Sequence, residues 1–482
     1  DLDLKELPKK MYCPGNNKKT IGTTLFATNE VVAHLQDNMP NNQWQDVSLD
    51  IKKEIFHKVA EQLHQNQSKL FYLLATEAGK TLKDADAEVR EAIDFVNYYI
   101  CEGEKAFLPH KLTGPTGENN YLSHEAKGNF LCISPWNFPL AIFVGQITAA
   151  LVAGNNVIAK PAEDTSIIAY EVIKIFHNAG IPKEALQLVI ADKEVSDELT
   201  KLNWLSGIAF TGSSEAAKKI NLNLAMSEGP IKTFIAETGG LNAMFVDSSA
   251  LKEQVIDDII RSAFLSAGQR CSALRVVYVQ DDVADEYWDY LVEAMQEISQ
   301  GDPINLDVDI GPIINKSSLE KLVAHSSALK KKKFRFEELK INELGSGYYF
   351  NPIVFEINDI KEIDGEKFGP ILHFIRYKQE ELDDLIDQVN ATGYGLTMGA
   401  HTRILGKANR IFKKANVGNF YLNRDIVGAV VGVQPFGGHG LSGTGPKAGG
   451  PNYLKSFLNE KTFTDNVMAT GGNIDLLNKN NQ

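Results

Sequence analysis

Three side chains able to do chemistry stand where a predicted strand or helix gives way to a connection. Cys271 lies in SAFLSAGQRCSALRVVYV (262–279), between apolar helical spacing that stops at Gly268 and a strand that resumes at Leu274. A positive neighbour, Arg270, and nearby backbone amides would favour the thiolate, the reactive form. A free cysteine also packs as a small buried hydrophobe. Both readings stand for Cys271; for Cys132, inside the apolar run Phe130–Ile133, and for Cys101, the packing reading is preferred. Glu237 follows the apolar run Thr233–Ala236 and precedes two glycines. It is either a carboxylate at a sheet edge where ligands approach or a cap on the next turn. Asn137, in Ser134-Pro135-Trp136-Asn137-Phe138-Pro139, also follows a strand. Its amide could donate to an oxyanion, although turns commonly hold asparagine for local reasons.

Two further strand ends suit a dinucleotide. In Ala159-Lys160-Pro161-Ala162-Glu163 a lysine donor and a carboxylate acceptor could bracket ribose hydroxyls. Phe210-Thr211-Gly212-Ser213-Ser214 runs from a strand into a helix, whose first amides suit a pyrophosphate; plain helix capping explains the serines equally well. Gly438-His439-Gly440-Leu441-Ser442-Gly443 spells G-x-G-x-x-G but follows Pro435-Phe436 rather than an apolar strand, so it reads as a flexible loop over a site.

These positions need elements to hold them. The first hundred residues read as helical, with apolar spacing from Asp50 through Leu63 and Leu70 to Leu74, and again from Leu82 to about Tyr99. The turn-rich Gly114–Asn120 ends that pattern. Short apolar strands then alternate with helices: strands at 130–133, 157–159, 186–190, 207–210 and 233–236, and a second alternating block from about 241 to 422. Such alternation implies parallel sheets covered on both faces. Residues 116–127 and 459–466 alternate as strands outside both blocks.

At 482 residues the chain is too long for one ordinary core. Its 62 acidic and 49 basic residues leave a net charge of −13, which disfavours nucleic acid or an anionic membrane as main partner. The run Lys330–Lys333 reads as a solvated helix end or loop beside Glu337 and Glu338. There is no secretory signal or apolar run of spanning length. Four scattered cysteines without C-x-x-C pairing fit a reducing cytoplasm. No His/Cys/carboxylate cluster has metal-ligand spacing. The chain begins at Asp1 rather than Met, as a piece of a longer polypeptide or a trimmed chain would.

Taken in chain order, SPWNFP, KPAE, FTGS, ETGG, GQRC, EKFGP and QPFGG resemble the aldehyde dehydrogenase superfamily from about residue 45 to 465. More narrowly, GPTGE (114–118), CSALRV (271–276), LSGTGPKAGGP (441–451) and ATGGN (469–473) resemble the Δ1-pyrroline-5-carboxylate dehydrogenase module of bifunctional proline utilisation A proteins. The resemblance implies an α/β fold of two lobes, with a Rossmann-like NAD-binding domain (1–112 and 128–238) and a catalytic domain (239–457). Strands in 113–127 and 458–475 would form a small β oligomerisation flap. It implies Cys271 as nucleophile, Glu237 as activator of hydrolytic water, and Asn137 with the Cys271 amide as oxyanion site. Lys160 and Glu163 would hold the adenosine ribose, Gly212 and Ser213 the pyrophosphate, and Glu366 with Phe368 the nicotinamide ribose of NAD. Ser272, Gly449 and Gly450 match a substrate-carboxylate anchor with unobstructed backbone amides; Phe138 and Phe457 match aromatic walls, and Glu91 a contact to the substrate amine.

The implied reaction oxidises glutamate γ-semialdehyde to glutamate, in a cytoplasmic homodimer or larger oligomer with a proline dehydrogenase domain possible upstream of Asp1. Oxidation of another semialdehyde, such as succinate semialdehyde, and a catalytically silent binding protein stand as alternatives. Three departures accompany the resemblance: His439 where an acidic residue is expected, Lys367 in place of an apolar residue, and a segment between about 326 and 345 that looks shortened.

Overall fold

In the computed structural model, which describes residues 8–340 and 345–466, the alternating strand runs gather into two separate parallel sheets. The first has five strands, in the order Leu186–Leu188, Asn156–Lys160, Asn129–Ile133, Gly207–Thr211 and Thr233–Glu237, all parallel. Its apolar residues divide by alternation. Phe130, Cys132, Ala159, Ala209 and Ile235 face one core with the Leu49–Gln65, Leu82–Ala106 and Ala141–Val152 helices, whereas Leu131, Ile133, Ile158, Ile208 and Ala236 face a second. Runs that are apolar at every position therefore mark a sheet covered on both faces.

The chain builds leftward from 129–133 to 186–188, then returns to add 207–211 and 233–237 on the other side. That reversal opens a crevice beyond the carboxyl ends of strands 129–133 and 207–211, where open α/β sheets receive ligands.

The second sheet has seven strands, ordered Phe336–Glu338, Ile353–Glu356, Ile371–Tyr377, Leu274–Gln280, Asn242–Val246, Thr397–His401 and Asn419–Leu422. Only the edge strand 336–338 is antiparallel. Its core, from Leu241 to Ile426, is a cluster of its own.

A third sheet pairs Leu458–Asn466 with Glu118–Ala126 over nine antiparallel positions and adds His110–Leu112. Both long strands form where the sequence suggests, but neither alternates in burial, the layer is thin and Phe463 stays 61% exposed. The motif ATGGN (469–473) and the rest of 458–475 beyond Asn466 lie outside the described residues. None of the helices among the described residues is long and apolar enough to cross a membrane.

Several local expectations change. The first hundred residues are not all helix: Lys9–Cys13 and Asn16–Thr24 form a hairpin around Pro14-Gly15. The helical run 50–74 breaks at Asn66, whose side chain bonds back to Gln62 O at 2.8 Å, as short amides do at helix ends. The strand 186–190 stops at Leu188. Cys101 is exposed on the outer face of its helix rather than packed. Residues 438–443 are not a loose loop, because His439–Gly440 pairs with Tyr394–Gly395 and Gly443 bridges Glu237. The lysine run is the end of the Lys316–Lys331 helix, with Lys330 paired to Glu338 at 2.6 Å and Lys332 to Glu362.

Candidate active site

The ends of the two sheets meet. Glu237 closes the last strand of the five-stranded sheet, while Cys271 and Glu366 precede strands 274–280 and 371–377 of the seven-stranded one. A sharp turn presents the cysteine. The Lys252–Phe264 helix ends, and Ser266 and Ala267 take left-handed φ values of 53° and 54°. Gly268 at φ 63° is obligatory here, since a Cβ would lie 2.3 Å from the Gly369 carbonyl oxygen.

Two buried side chains lock this turn. The Asn242 amide donates to the carbonyls of Cys271 (2.7 Å) and Ala273 (2.9 Å). Arg275, 1% exposed, donates to the carbonyls of Gly268 (2.8 Å), Arg270 (2.9 Å) and Gly369 (3.1 Å) and to Glu366 Oε1 (3.3 Å). A buried guanidinium needs such acceptors, and here both terminal nitrogens have them while Nε has none. Arg275 thereby ties the cysteine turn to the Glu366 loop.

The expected thiolate is not what this resting arrangement favours. Arg270 directs its charge to Asp84 (2.8 Å) and its Nε to Ser266 Oγ (2.9 Å), not to the sulfur. Burial, then the carboxylates of Glu366 and Glu237, push the Cys271 thiol up to about 12, against the Ser272 amide and Arg275. Glu237 is itself held well above the usual carboxylate range by burial, opposed by the Gly438 amide and Lys447. The Gly438 amide reaches Oε2 at 3.3 Å, while the buried Oε1 has no partner.

Cys271 lines two cavities at once. One also holds Glu91, Phe138, Glu237 and Ser272. The other, about 750 Å³, is lined by Asn137, Gly212, Ser213, Glu366 and Phe368. The second runs into a cleft of about 800 Å³ past Lys160 and Glu163 through the shared residues Pro135, Trp136, Gly212 and Ser213. A model of the aldehyde dehydrogenase family matches residues 6–463.

The chain belongs to the aldehyde dehydrogenase family.

Among curated relatives it is similar to the bifunctional protein PutA of Escherichia coli, 44% identical over 457 residues, which are 92% of this chain and 34% of that protein. It therefore spans about a third of the length of the PutA proteins it matches. The 1-pyrroline-5-carboxylate dehydrogenase 1 of Halalkalibacterium halodurans is 33% identical over 88% of this chain and 82% of its own. Among solved structures, a 1-pyrroline-5-carboxylate dehydrogenase from Thermus with bound NAD superposes with a TM-score of 0.91 at 30% identity, covering 96% of this chain and 91% of that one. An aldehyde dehydrogenase fold of two α/β lobes and a small antiparallel sheet is thus shared.

The family member in hand places the sequence-derived residues unevenly. Asn137 is buried, with its amide nitrogen donating to Gln269 O at 3.1 Å and one N–H left over. Lys160, at a strand end, is desolvated, which lowers its pKa; Glu163 opens the next turn. The N-terminal hairpin adds a cation that sequence reasoning missed, Lys9 Nζ at 3.6 Å from Glu163. Ser213 caps the Ser214–Met226 helix, accepting from the Ala216 amide at 3.2 Å, so its hydroxyl is engaged although the helix start faces the cleft. Phe368 meets Trp136 edge to face at 5.4 Å.

Two substrate-side expectations fail. Phe457 is fully buried against Phe130 (4.8 Å) and Tyr453 (5.5 Å), so it belongs to the core; Phe95, Tyr99 and Phe436 share the aromatic wall with Phe138 instead. The amides of Gly449 and Gly450 are not free: the first donates to the Tyr99 hydroxyl at 2.9 Å, the second to Lys447 O at 3.2 Å. Neither glycine lines the Cys271 cavity, whereas Ser272 does. Glu91 also lines it, its pKa pushed up to about 7 by burial and then by Glu88. Lys367 stands on the Glu366 side and bonds the Asp364 carbonyl; His439 is exposed on its short strand.

Proposed function

We propose that this chain oxidises glutamate γ-semialdehyde to glutamate with NAD, through a covalent intermediate on Cys271. The observation that carries the reading is that Cys271 is shared by two cavities of different character. One is a walled pocket ending in Glu91 and Ser272, suited to a short chain bearing amine and carboxylate. The other is a long cleft that fits a dinucleotide: it begins at Glu366 and Phe368, passes the helix start at Gly212 and Ser213, and ends at Lys160 and Glu163. The names of the relatives support the substrate, and the NAD in the Thermus structure supports the cofactor.

In this reading Cys271 gives its proton to solvent water and attacks the aldehyde carbon, and the remaining N–H of Asn137 with the Cys271 amide meets the oxyanion. Burial holds the thiol up in this arrangement, so ligands that change its surroundings would ease its deprotonation. The bound nicotinamide would accept hydride. A thioester is left on Cys271, and Glu237, in the same cavity, takes a proton from the water that hydrolyses it. Glu163 favours NAD, since a carboxylate beside the ribose hydroxyl repels a 2′-phosphate; Lys9 and Lys160 moderate that preference. The thin three-stranded sheet supports at least a dimer, as such a layer is marginal without a partner covering it; a stable monomer by light scattering at micromolar concentration would refute this. The match to a third of PutA supports cooperation with a proline-oxidising domain.

Steady-state assays with glutamate semialdehyde, succinate semialdehyde and pentanal, each with NAD and NADP, test the proposal. Glutamate semialdehyde with NAD should give the highest kcat/KM; a preference for either other aldehyde overturns the substrate. Cys271→Ala should abolish turnover while leaving NAD binding intact, and appreciable turnover by this variant would remove the mechanism.

A further inference from the structure

The Asn137–Phe138 turn has no helix or strand of its own, yet it presents Asn137 to one of the cavities that Cys271 lines and Phe138 to the other. It is held by a charge pair from elsewhere. Lys80 and Glu88 are 5% and 0% exposed and bond each other directly. The second and third donors on the lysine point at the turn: Lys80 Nζ donates to the Asn137 carbonyl at 2.8 Å and sits 3.9 Å from the centroid of the Phe138 ring. The other oxygen of Glu88 accepts the amides of Leu140 (2.8 Å) and Ala141 (3.2 Å), which open the Ala141–Val152 helix. That helix starts at Leu140 with no side-chain cap of its own, so Glu88 caps it from outside.

The same helix face carries the matching half. Asp84, four residues before Glu88, holds Arg270, whose guanidinium lies 5.6 Å from the Phe138 ring. Two carboxylates one turn apart therefore govern both sides of the site: Asp84 through the residue preceding Cys271, Glu88 through the turn that carries Asn137.

We infer that the Lys80–Glu88 pair is a positioning device for the Asn137–Phe138 turn, fixing the amide that shares a cavity with Cys271 and the ring that walls the substrate cavity. The inference rests on the reading of Asn137 as an oxyanion donor. A buried pair with every bond satisfied is rigid, and a displacement of about 1 Å in a donor is enough to cost about 10²-fold in rate. Neither residue lines the Cys271 cavity, so both act through the turn.

The test is the pre-steady-state burst of NADH at saturating substrate and cofactor. The double variant Lys80→Met/Glu88→Gln removes both charges while keeping an acceptor for Leu140. Its burst should slow 10- to 100-fold, with NAD affinity and aldehyde KM within about threefold of the unmodified enzyme. Lys80→Arg, which keeps the charge and its donors, should recover the burst to within about fivefold. A purely structural role would lower the melting temperature and leave the burst untouched below it; that result overturns the inference. If the double variant does not fold, Glu88→Asp carries the test, because it keeps both charges and shortens the reach by one methylene. A slowed burst is expected, and an unchanged one overturns. Asn137→Ala separates the two levels. If it slows the burst and the pair variants do not, positioning fails alone; if Asn137→Ala leaves the burst unchanged, the oxyanion reading falls and the positioning inference with it.

Discussion

Glu237 and Glu366 approach Cys271 from opposite corners, and the two corners are built differently. Both carboxylates rest over a glycine, where any side chain would displace them: a Cβ on Gly239 would lie 1.7 Å from Glu366 Oε2, and one on Gly437 would lie 2.6 Å from Glu237 Oε1. Both have pKa values raised first by burial. The difference is in partners. Glu366 has the Arg275 guanidinium at 3.3 Å and the Gly240 amide, so its charge is compensated. Glu237 has one amide at 3.3 Å, an unpartnered oxygen, and Lys447 only as a distant charge. A compensated carboxylate is built to hold a fixed charge; an under-compensated one is built to gain and lose a proton.

The largest effect that should separate the corners is on turnover. Glu237→Gln should cut steady-state kcat by about 10²- to 10³-fold, the range for a lost general base, while one burst of NADH survives and acyl-enzyme accumulates, visible by intact mass. If burst and steady rate vanish together, Glu237 acts before hydrolysis and the contrast is wrong.

Glu366→Gln should act on the cofactor side instead. The KM for NAD should rise about tenfold, near 1.4 kcal/mol of lost binding, with kcat changed by less. A drop in kcat with unaltered KM would place Glu366 in the chemistry and merge the two corners.

Dependence on pH sharpens the same point. In the proposed reaction ionised Glu237 is the competent base, and its pKa is raised, so hydrolysis should climb with pH through an apparent pKa above the ordinary carboxylate range. Glu366→Gln should keep that limb, and Glu237→Gln should lose it. A limb common to both variants would assign the titration elsewhere, with Cys271 the first candidate.

What the sequence made legible follows from the reach of each signal. Cys271, Glu237, Asn137 and the cleft residues Gly212 and Ser213 all sit at strand or helix ends, and alternation along the chain locates such ends without tertiary information. The parallel sheets were readable for the same reason. The N-terminal hairpin was not, because Asn16–Thr24 has almost no apolar alternation and owes its form to Pro14-Gly15 and to packing. The place of Phe457 is not legible because an aromatic side chain near the site looks the same in sequence whether it points into the cavity or the core. The bonds on the amides of Gly449 and Gly450 are not legible because nothing in a sequence shows a tyrosine 350 residues away accepting one of them. Charge partners were the hardest: Arg270 is adjacent to Cys271 in the chain yet spends its charge on Asp84.

Stability should show the smallest effect, and the sign should differ between the corners. The Glu237 carboxyl titrates higher in the folded state than in the unfolded chain, so its favourable contribution is complete at acid pH and is lost as pH rises through the folded value. Gln at this position removes a charge that the fold compensates poorly. At pH 8 Glu237→Gln should therefore melt at or above the unmodified enzyme, and the gain should fade toward pH 5. Glu366 also titrates high, but removing its charge leaves Arg275 buried without its one anionic partner. Three carbonyls remain to that guanidinium, so the loss falls short of that for a fully orphaned buried charge, roughly 1–2 kcal/mol against about 3–5 kcal/mol. Glu366→Gln should thus melt a few degrees lower at pH 8. Calorimetry of both variants at pH 5 and pH 8 decides it: equal shifts of one sign would mean that the two corners carry their charge in the same way.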